Sequence, residues 1–338
     1  MKKILSFLLA SVLLLGLAAC GNSPATPTQT AAVSTVETPA PTEATEPQVT
    51  TSQAAIDALD GKKILFVGNS YTYYGRVVIN QGYDVLTQAE RTDNRGLFYY
   101  MCQEKGIDVE VTNWVFGGHD LTDTLGHSCT MTDTSCAGVD HLSYLTDPVF
   151  DYVCLQPYFE DEYTGDMVSH LKPMMDFFRQ ANPDVKFLLL VPHMTFVRNF
   201  VWREDFAVLA DEGVIICNWG GMLDDIVNKR VSVPGGTQQY FFGTFVISKD
   251  EKDGHHQNLL VGYLTAQMVY CAITGESAVG QPYGIVDDSS VHPEFDMEAY
   301  QAKYYVYEPV TNFVDVYRSE SDMNGLQQLI DMYLEKYN

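Results

Sequence analysis

Three residues of this chain have the types needed for nucleophilic catalysis, namely Ser70, Asp253 and His256. A serine hydroxyl becomes a good nucleophile when an imidazole takes its proton, and that imidazole needs an acceptor on its other nitrogen. Because Asp253 and His256 are three positions apart, one tight turn can carry both of them to a serine. The alternative for Ser70 is structural: its hydroxyl caps the following helix, a role that Asn69 or Thr72 would fill equally well.

Alternating apolar and amphipathic segments must position these residues. Short apolar runs predict five strands, at 63–67, 107–116, 152–155, 186–191 and 214–217. Helical patterns lie at 96–105, 166–180, 203–211, 259–274 and 323–337, and Gly275 is the expected stop of the fourth. This alternation predicts an α/β fold, with three layers (α/β/α) around a mostly parallel five-stranded sheet. In such sheets the site gathers at the carboxyl ends of the strands, where Ser70 lies.

The residues around Ser70 resemble the first sequence block of the SGNH (GDSL-type) hydrolases, with Asn69 where that family usually has Asp. Near the other end, Asp253-Gly254-His255-His256 matches the family's D-x-x-H block, and a helix is predicted soon after it. The blocks occur in the family's order, and the resemblance covers most of residues 61–275. It implies the flavodoxin-like fold of the SGNH hydrolases.

The resemblance also implies catalytic roles. Ser70 would be the nucleophile, His256 the general base and Asp253 the carboxylate that orients the base. His255 competes with His256, but the spacing from Asp253 and the position of Tyr263 favour His256. We therefore expect His255 to line the pocket or to form a hydrogen bond there.

In this family the oxyanion is bound by the nucleophile's own N–H, a glycine N–H and an Asn side chain. The matching groups here are Ser70 and Gly118, but Gln156 follows the third strand where the family has Asn. A divergent bacterial branch, the DUF4886-like group, has a similar strand ending with Gln. The structural alternatives are a plain turn at Gly118 and, for Gln156, an amide that satisfies backbone groups at the strand end.

Other side chains near these loops are candidates for substrate binding, with the core as the alternative location for the aromatic ones. They are Asn69, Tyr71, His119, Tyr158 and His255. The histidines show no spacing typical of a metal site, so we expect neither a metal nor another cofactor.

The start of the chain predicts export. Lys2 and Lys3 precede an apolar run over residues 4–17, which indicates a signal peptide of residues 1–19. Leu17-Ala18-Ala19-Cys20 resembles the lipobox of bacterial lipoproteins, which implies lipidation of Cys20 and an extracytoplasmic protein held at the bacterial cell membrane. The alternative is plain secretion with Cys20 as a free thiol. The Thr- and Pro-rich composition of residues 20–55 predicts a disordered tether.

The hydrolase-like domain is predicted at 56–280, with a C-terminal extension at 281–338 that packs on it. Cys129 and Cys136 flank a polar insert, and a disulfide between them is plausible in an exported protein. Cys154, Cys217 and Cys271 lie in apolar segments, so we expect buried, inert thiols.

These patterns favour a surface-anchored serine esterase that removes small acyl groups, with acetyl expected, from carbohydrate or cell-envelope substrates. The substrate class follows from the resemblance and the location. The alternative is a non-catalytic lipoprotein that binds a glycan or a small solute, but such a module has no need for Asp253 and His256. With 44 acidic against 20 basic side chains and a net charge of −24, the chain is not expected to bind nucleic acid.

Overall fold

A five-stranded parallel sheet organises the molecule. The computed structural model describes residues 51–73, 75, 77–78, 96–115, 121, 149–157, 167–192, 199–237, 239–240, 245, 257–283 and 319–338. The strands are β1 (Lys63–Gly68), β2 (Glu110–Val115), β3 (Tyr152–Leu155), β4 (Lys186–Leu190) and β5 (Val214–Cys217). They pair in the order β2-β1-β3-β4-β5, and each of these pairings is parallel. This is the flavodoxin-like strand order, so the predicted fold class is confirmed.

Helices connect and cover these strands. The described ones are α1 (Gln53–Leu59), α2 (Ser70–Tyr73), α3 (Leu97–Glu104), α4 (Met167–Ala181), α5 (Asn199–Asp211), α6 (Trp219–Val227), α7 (Leu259–Thr274) and α8 (Glu320–Tyr337). All of them lie in one compact unit, Gln48–Asn338. None of the helices in the described ranges combines the length and the apolar character needed to cross a bilayer.

The sheet separates two apolar cores because successive side chains of a strand point to opposite faces. On one face, Ile64 and Phe66 of β1 pack in a cluster with residues of α1, α3, α6, α7 and α8. On the other face, Leu65 and Val67 pack with residues of α4 and α5. The fold therefore has the three predicted layers.

Helix α7 is apolar on every side and lies inside the first of these cores. Leu260, Tyr263, Leu264 and Met268 are all 0% exposed. A helix with no polar face must be covered all round, and α1, α3 and α8 pack against it. The start of α7 is thereby fixed relative to the sheet, and His256 lies only just before that start.

Candidate active site

Ser70 begins α2, directly beyond the carboxyl end of β1. The side-chain oxygen of Asn69 accepts a hydrogen bond from the Tyr71 N–H at 3.1 Å, and the Asn69 carbonyl accepts one from the Thr72 N–H at 2.9 Å. These are the bonds of a helix N-cap, so Asn69 caps α2. Asn69, and not Ser70, therefore performs the helix capping that was the structural alternative for Ser70.

The Ser70 hydroxyl has no hydrogen-bond partner within the described part of the chain, although the residue is only 6% exposed. The backbone N–H of a first helical residue also lacks an intrahelical partner. Ser70 thus combines an uncommitted hydroxyl with an N–H at the helix start, at the edge of the sheet where sites form. Nucleophilic attack and oxyanion binding need these two groups.

Gln156 supports the Ser70 turn from the neighbouring strand. It follows β3, which pairs with β1, and it is 1% exposed. Its Oε1 accepts hydrogen bonds from the Asn69 N–H at 3.2 Å and from the Thr72 hydroxyl at 2.8 Å. Its Nε2 donates to the Pro157 carbonyl. These bonds agree with the structural role considered for Gln156, in which its amide satisfies polar groups at the ends of the strands. Its role as an oxyanion donor stays a prediction.

Gly68 makes this arrangement possible through its lack of a side chain. A Cβ at this position would lie 2.5 Å from the Thr72 Oγ1 and 3.0 Å from both the Cβ and the Oε1 of Gln156. Any larger residue would push Gln156 away from α2. The glycine at the end of β1 is therefore required by the hydrogen bonds that hold the Ser70 turn.

The structure also brings the segment after Ser70 against the start of α7. Gly75 packs directly on Gly262 and on the side chain of Gln257. Asn258 caps α7, because its side-chain oxygen accepts the Val261 N–H at 3.2 Å. Since Gln257 follows His256 in the chain, the two predicted halves of the site lead into segments that touch.

Several predicted site residues lie outside the described residues. They are Asp253, His255 and His256, the oxyanion candidate Gly118, and the substrate-binding candidates His119 and Tyr158. Cys20, Cys129 and Cys136 lie outside them as well. The roles assigned to all of these residues stay predictions.

Two substrate-binding candidates are described and buried. Asn69 is 0% exposed and Tyr71 is 1% exposed. The Asn69 side chain caps α2, which is a structural use for it. Contact of either residue with a substrate stays a prediction.

The turn that follows β5 was not predicted from the sequence. Asn218 caps α6 by accepting the Gly221 N–H at 2.9 Å, and the Gly220 N–H donates to the Val191 carbonyl at 2.9 Å. Trp219 is 1% exposed, which places a large aromatic side chain under the carboxyl edge of the sheet. The available signal was an Asn directly after an apolar run, which is a typical N-cap.

Three of the described cysteines are buried and are poor nucleophiles. Cys154, Cys217 and Cys271 are free and buried, as expected. Burial raises the pKa of each thiol, to about 12 for Cys271 and well above the ordinary value for Cys154. Because the thiolate is the nucleophilic form, none of the three is a competitor of Ser70. Among the described residues, no group of three or more His, Cys, Asp or Glu side chains is arranged to hold a metal ion.

Comparison with known proteins gives distant structural similarities. No family model and no curated protein matches the chain. A candidate SGNH hydrolase from Slackia heliotrinireducens is 14% identical, with a TM-score of 0.38, covering 64% of this chain and 99% of that one. A candidate GDSL-like lipase from Parabacteroides merdae is 14% identical (TM-score 0.41; coverage 64% and 97%). An acetylxylan esterase from Geobacillus stearothermophilus is 13% identical (TM-score 0.37; coverage 65% and 96%). Similarity at this level does not establish a family.

Proposed function

We propose that this protein is a serine esterase of the SGNH (GDSL-type) kind that removes small acyl groups, acetyl above all, from carbohydrate or cell-envelope substrates. One observation carries the proposal. Ser70 lies at the carboxyl edge of a parallel sheet, Asn69 supplies the helix cap, and among the described residues nothing hydrogen-bonds to the Ser70 hydroxyl. The cap of α2 therefore does not need the Ser70 hydroxyl.

The proposed reaction proceeds through an acyl-enzyme. The Ser70 oxygen attacks the ester carbonyl carbon while its proton passes to His256, which Asp253 orients. The oxyanion is stabilised by the N–H groups of Ser70 and Gly118, with the Gln156 amide as the proposed third donor. The alcohol then leaves with the proton from His256. A water molecule then gives a proton to His256 and attacks the acyl carbon. The bond between the acyl carbon and the Ser70 oxygen breaks, His256 returns the proton to that oxygen, and the acid is released.

The contact between Gly75 and the start of α7 supports this scheme. It holds the segment that follows Ser70 against the residues that follow His256. Along the chain, Gly75 lies five residues after Ser70 and Gln257 directly follows His256. These short separations support the proposal, because a general base must reach within hydrogen-bond distance of the hydroxyl.

Hydrolysis of 4-nitrophenyl acetate tests the proposal. We expect Ser70→Ala to lower the rate about a thousandfold or more. The matched control is Ser52→Ala, which removes a serine hydroxyl that accepts the Ala55 N–H at the start of α1 and hydrogen-bonds to Glu276. The control is expected to keep full activity. Equal rates for the wild type and Ser70→Ala would overturn the proposal.

The choice between the two adjacent histidines needs a separate comparison. His256→Ala is expected to abolish turnover, whereas His255→Ala is expected to retain most of it. The reverse result would move the general base to His255. A protein that binds glycan, hydrolyses no ester and reacts with no serine probe would instead be the non-catalytic lipoprotein.

We also propose that the protein is anchored through a lipid on Cys20 and acts outside the cytoplasm. Incorporation of a radioactive fatty acid by cells that express the full chain tests this part. We expect Cys20→Ala to abolish incorporation. Labelling that survives the substitution would contradict the anchor without affecting the proposed reaction.

A further inference from the structure

Gly262 lies in the first turn of α7, where its N–H donates to the Asn258 carbonyl at 3.0 Å. A Cβ built on Gly262 would overlap the carbonyl group of Gly75 and would lie 2.7 Å from the Gly75 Cα. The clash is with backbone, so no change of side-chain rotamer can relieve it. Glycine weakens a helix interior, and the close approach of the Gly75 backbone is the packing reason for a glycine at this position.

The contact is reciprocal. A Cβ on Gly75 would lie 2.7 Å from the Gly262 Cα and 2.8 Å from the Gly262 nitrogen. It would also lie 2.9 Å from the Nε2 of Gln257. Neither glycine has a positive φ, the conformation that glycine adopts more readily than other residues. The close approach of two backbones, and not an unusual conformation, therefore requires glycine at both positions.

The two glycines lie on the two segments that the proposed reaction must bring together. Gly75 follows the α2 turn that carries Ser70, and Gly262 lies in the first turn of the helix that follows His256. Gln257, directly after His256, is wedged beside Gly75 and is 1% exposed. Among the described residues, neither of its two amide atoms has a hydrogen-bond partner, and close packing against Gly75 is the contact that the structure shows for this side chain.

We infer that Gly75 and Gly262 are positioning residues of the active site, whose backbone contact sets the distance between the Ser70 turn and the start of α7, the helix that follows His256 in the chain. This inference rests on the proposed function. A separation of this kind matters because a misplacement of about 1 Å can cost about a hundredfold in rate. The contact acts on turnover through Ser70 and His256, and neither glycine touches the substrate.

The chain offers a matched control in α8, another helix of the same core. Gly325 is a helical glycine in α8, and a Cβ there would likewise overlap a backbone carbonyl, that of Pro234. Gly325→Ala and Gly262→Ala therefore introduce the same kind of clash between a helix and a neighbouring backbone. Only Gly262 adjoins the Ser70 segment.

The test measures kcat and KM for 4-nitrophenyl acetate in Gly262→Ala, Gly75→Ala and Gly325→Ala, with the folded fraction of each variant determined by circular dichroism. For Gly262→Ala we expect kcat to fall about a hundredfold. KM is expected to change less than about threefold, because the binding surface is intact. Gly75→Ala, whose clash is milder, should show a smaller loss in the same direction. Gly325→Ala should keep kcat within about twofold of the wild type.

A folded Gly262→Ala with wild-type kcat, or an equal loss of kcat in Gly325→Ala, would overturn the inference. If Gly262→Ala does not fold, Gly75→Ala decides in the same way. Hydrogen exchange of the peptide covering residues 69–78 separates this inference from the proposed function. Faster exchange in the Gly75 or Gly262 variant, but not in Gly325→Ala, supports the holding role even if the wild type hydrolyses no ester. Unchanged exchange overturns it.

Discussion

The Thr72 hydroxyl donates a hydrogen bond to the Gln156 Oε1 at 2.8 Å and so joins α2 to the end of β3. The same oxygen accepts the Asn69 N–H, which leads into the turn that presents Ser70. Both bonds are buried, where the loss of a partner is costly. The position of the proposed nucleophile is therefore set by an amide on the adjacent strand.

Replacement of Gln156 by Leu should weaken both the fold and the activity. The Asn69 N–H and the Thr72 hydroxyl would lose their acceptor, at a cost of about 2 kcal/mol in the free energy of unfolding. Urea denaturation of the wild type, Gln156→Leu, Thr72→Val and the double variant gives the coupling of the pair. We expect a coupling of about 1 kcal/mol. Strictly additive effects would show that the two side chains do not interact.

Asn69→Ala should lower stability by removing the cap of α2. The expected loss is about 1 kcal/mol, since Ala cannot accept the Tyr71 N–H. Asn69→Asp retains an acceptor and should keep both stability and turnover. Thermal denaturation of the two variants measures the difference. If Asn69→Asp is as unstable as Asn69→Ala, capping is not the function of this side chain.

The stability that Glu276 contributes should disappear in acid. Burial alone would raise the pKa of Glu276, but hydrogen bonds from Ser52 and Tyr270 and the charge of Lys105 hold that pKa below its ordinary value. A carboxyl group with a lowered pKa stabilises the folded state above its unfolded pKa, and this contribution is lost as the pH falls through the folded pKa.

The comparison of the wild type with Glu276→Gln isolates this effect from the other acidic groups. We expect the difference in free energy of unfolding to be constant near neutral pH and to shrink below about pH 4.5. Urea denaturation across this range measures it. A difference that grows on acidification would mean that the pKa of Glu276 is raised in the folded protein.

Asn338 should stabilise β5, the edge strand next to β4. Its Oδ1 accepts the Ile216 N–H at 2.7 Å and its Nδ2 donates to the Ile216 carbonyl at 3.1 Å. The side-chain amide of Asn338 thus makes the two hydrogen bonds with the Ile216 backbone that a neighbouring strand would make. We expect Asn338→Ala to cost about 1 kcal/mol in chemical denaturation and to speed hydrogen exchange at Ile216. Asn228→Ala, which removes an exposed amide, is the control with little effect.

Much of the fold was predictable because its central elements are apolar runs with clear ends. The strands at 152–155 and 214–217 and the helix Leu259–Thr274 have the predicted bounds. Gly275 ends that helix in the left-handed conformation, with φ of 72°, as its position indicated. The strand predicted at 107–116 begins later, at Glu110, since Ile107 and Val109 are buried without being paired.

The missed elements have weak local signals. The Gly-Gly pair in α6 lowers helix propensity, so the helix depends on the Asn218 cap and on packing of Trp219 and Met222. Helices α1 and α2 are too short for a clear period. The partners of Gln156 and the contact of Gly75 with Gly262 join residues distant in sequence, and such contacts leave no local pattern. For this reason the candidate residue Ser70 was predictable, whereas its supports were not.

The most direct measurement is the location of a covalent fluorophosphonate adduct by peptide mass spectrometry on the full-length protein. The proposed function predicts a single adduct on Ser70 in the wild type, slowed in His256→Ala and absent in Ser70→Ala. Modification that persists in Ser70→Ala, or a wild-type protein that gains no adduct at all, would contradict it.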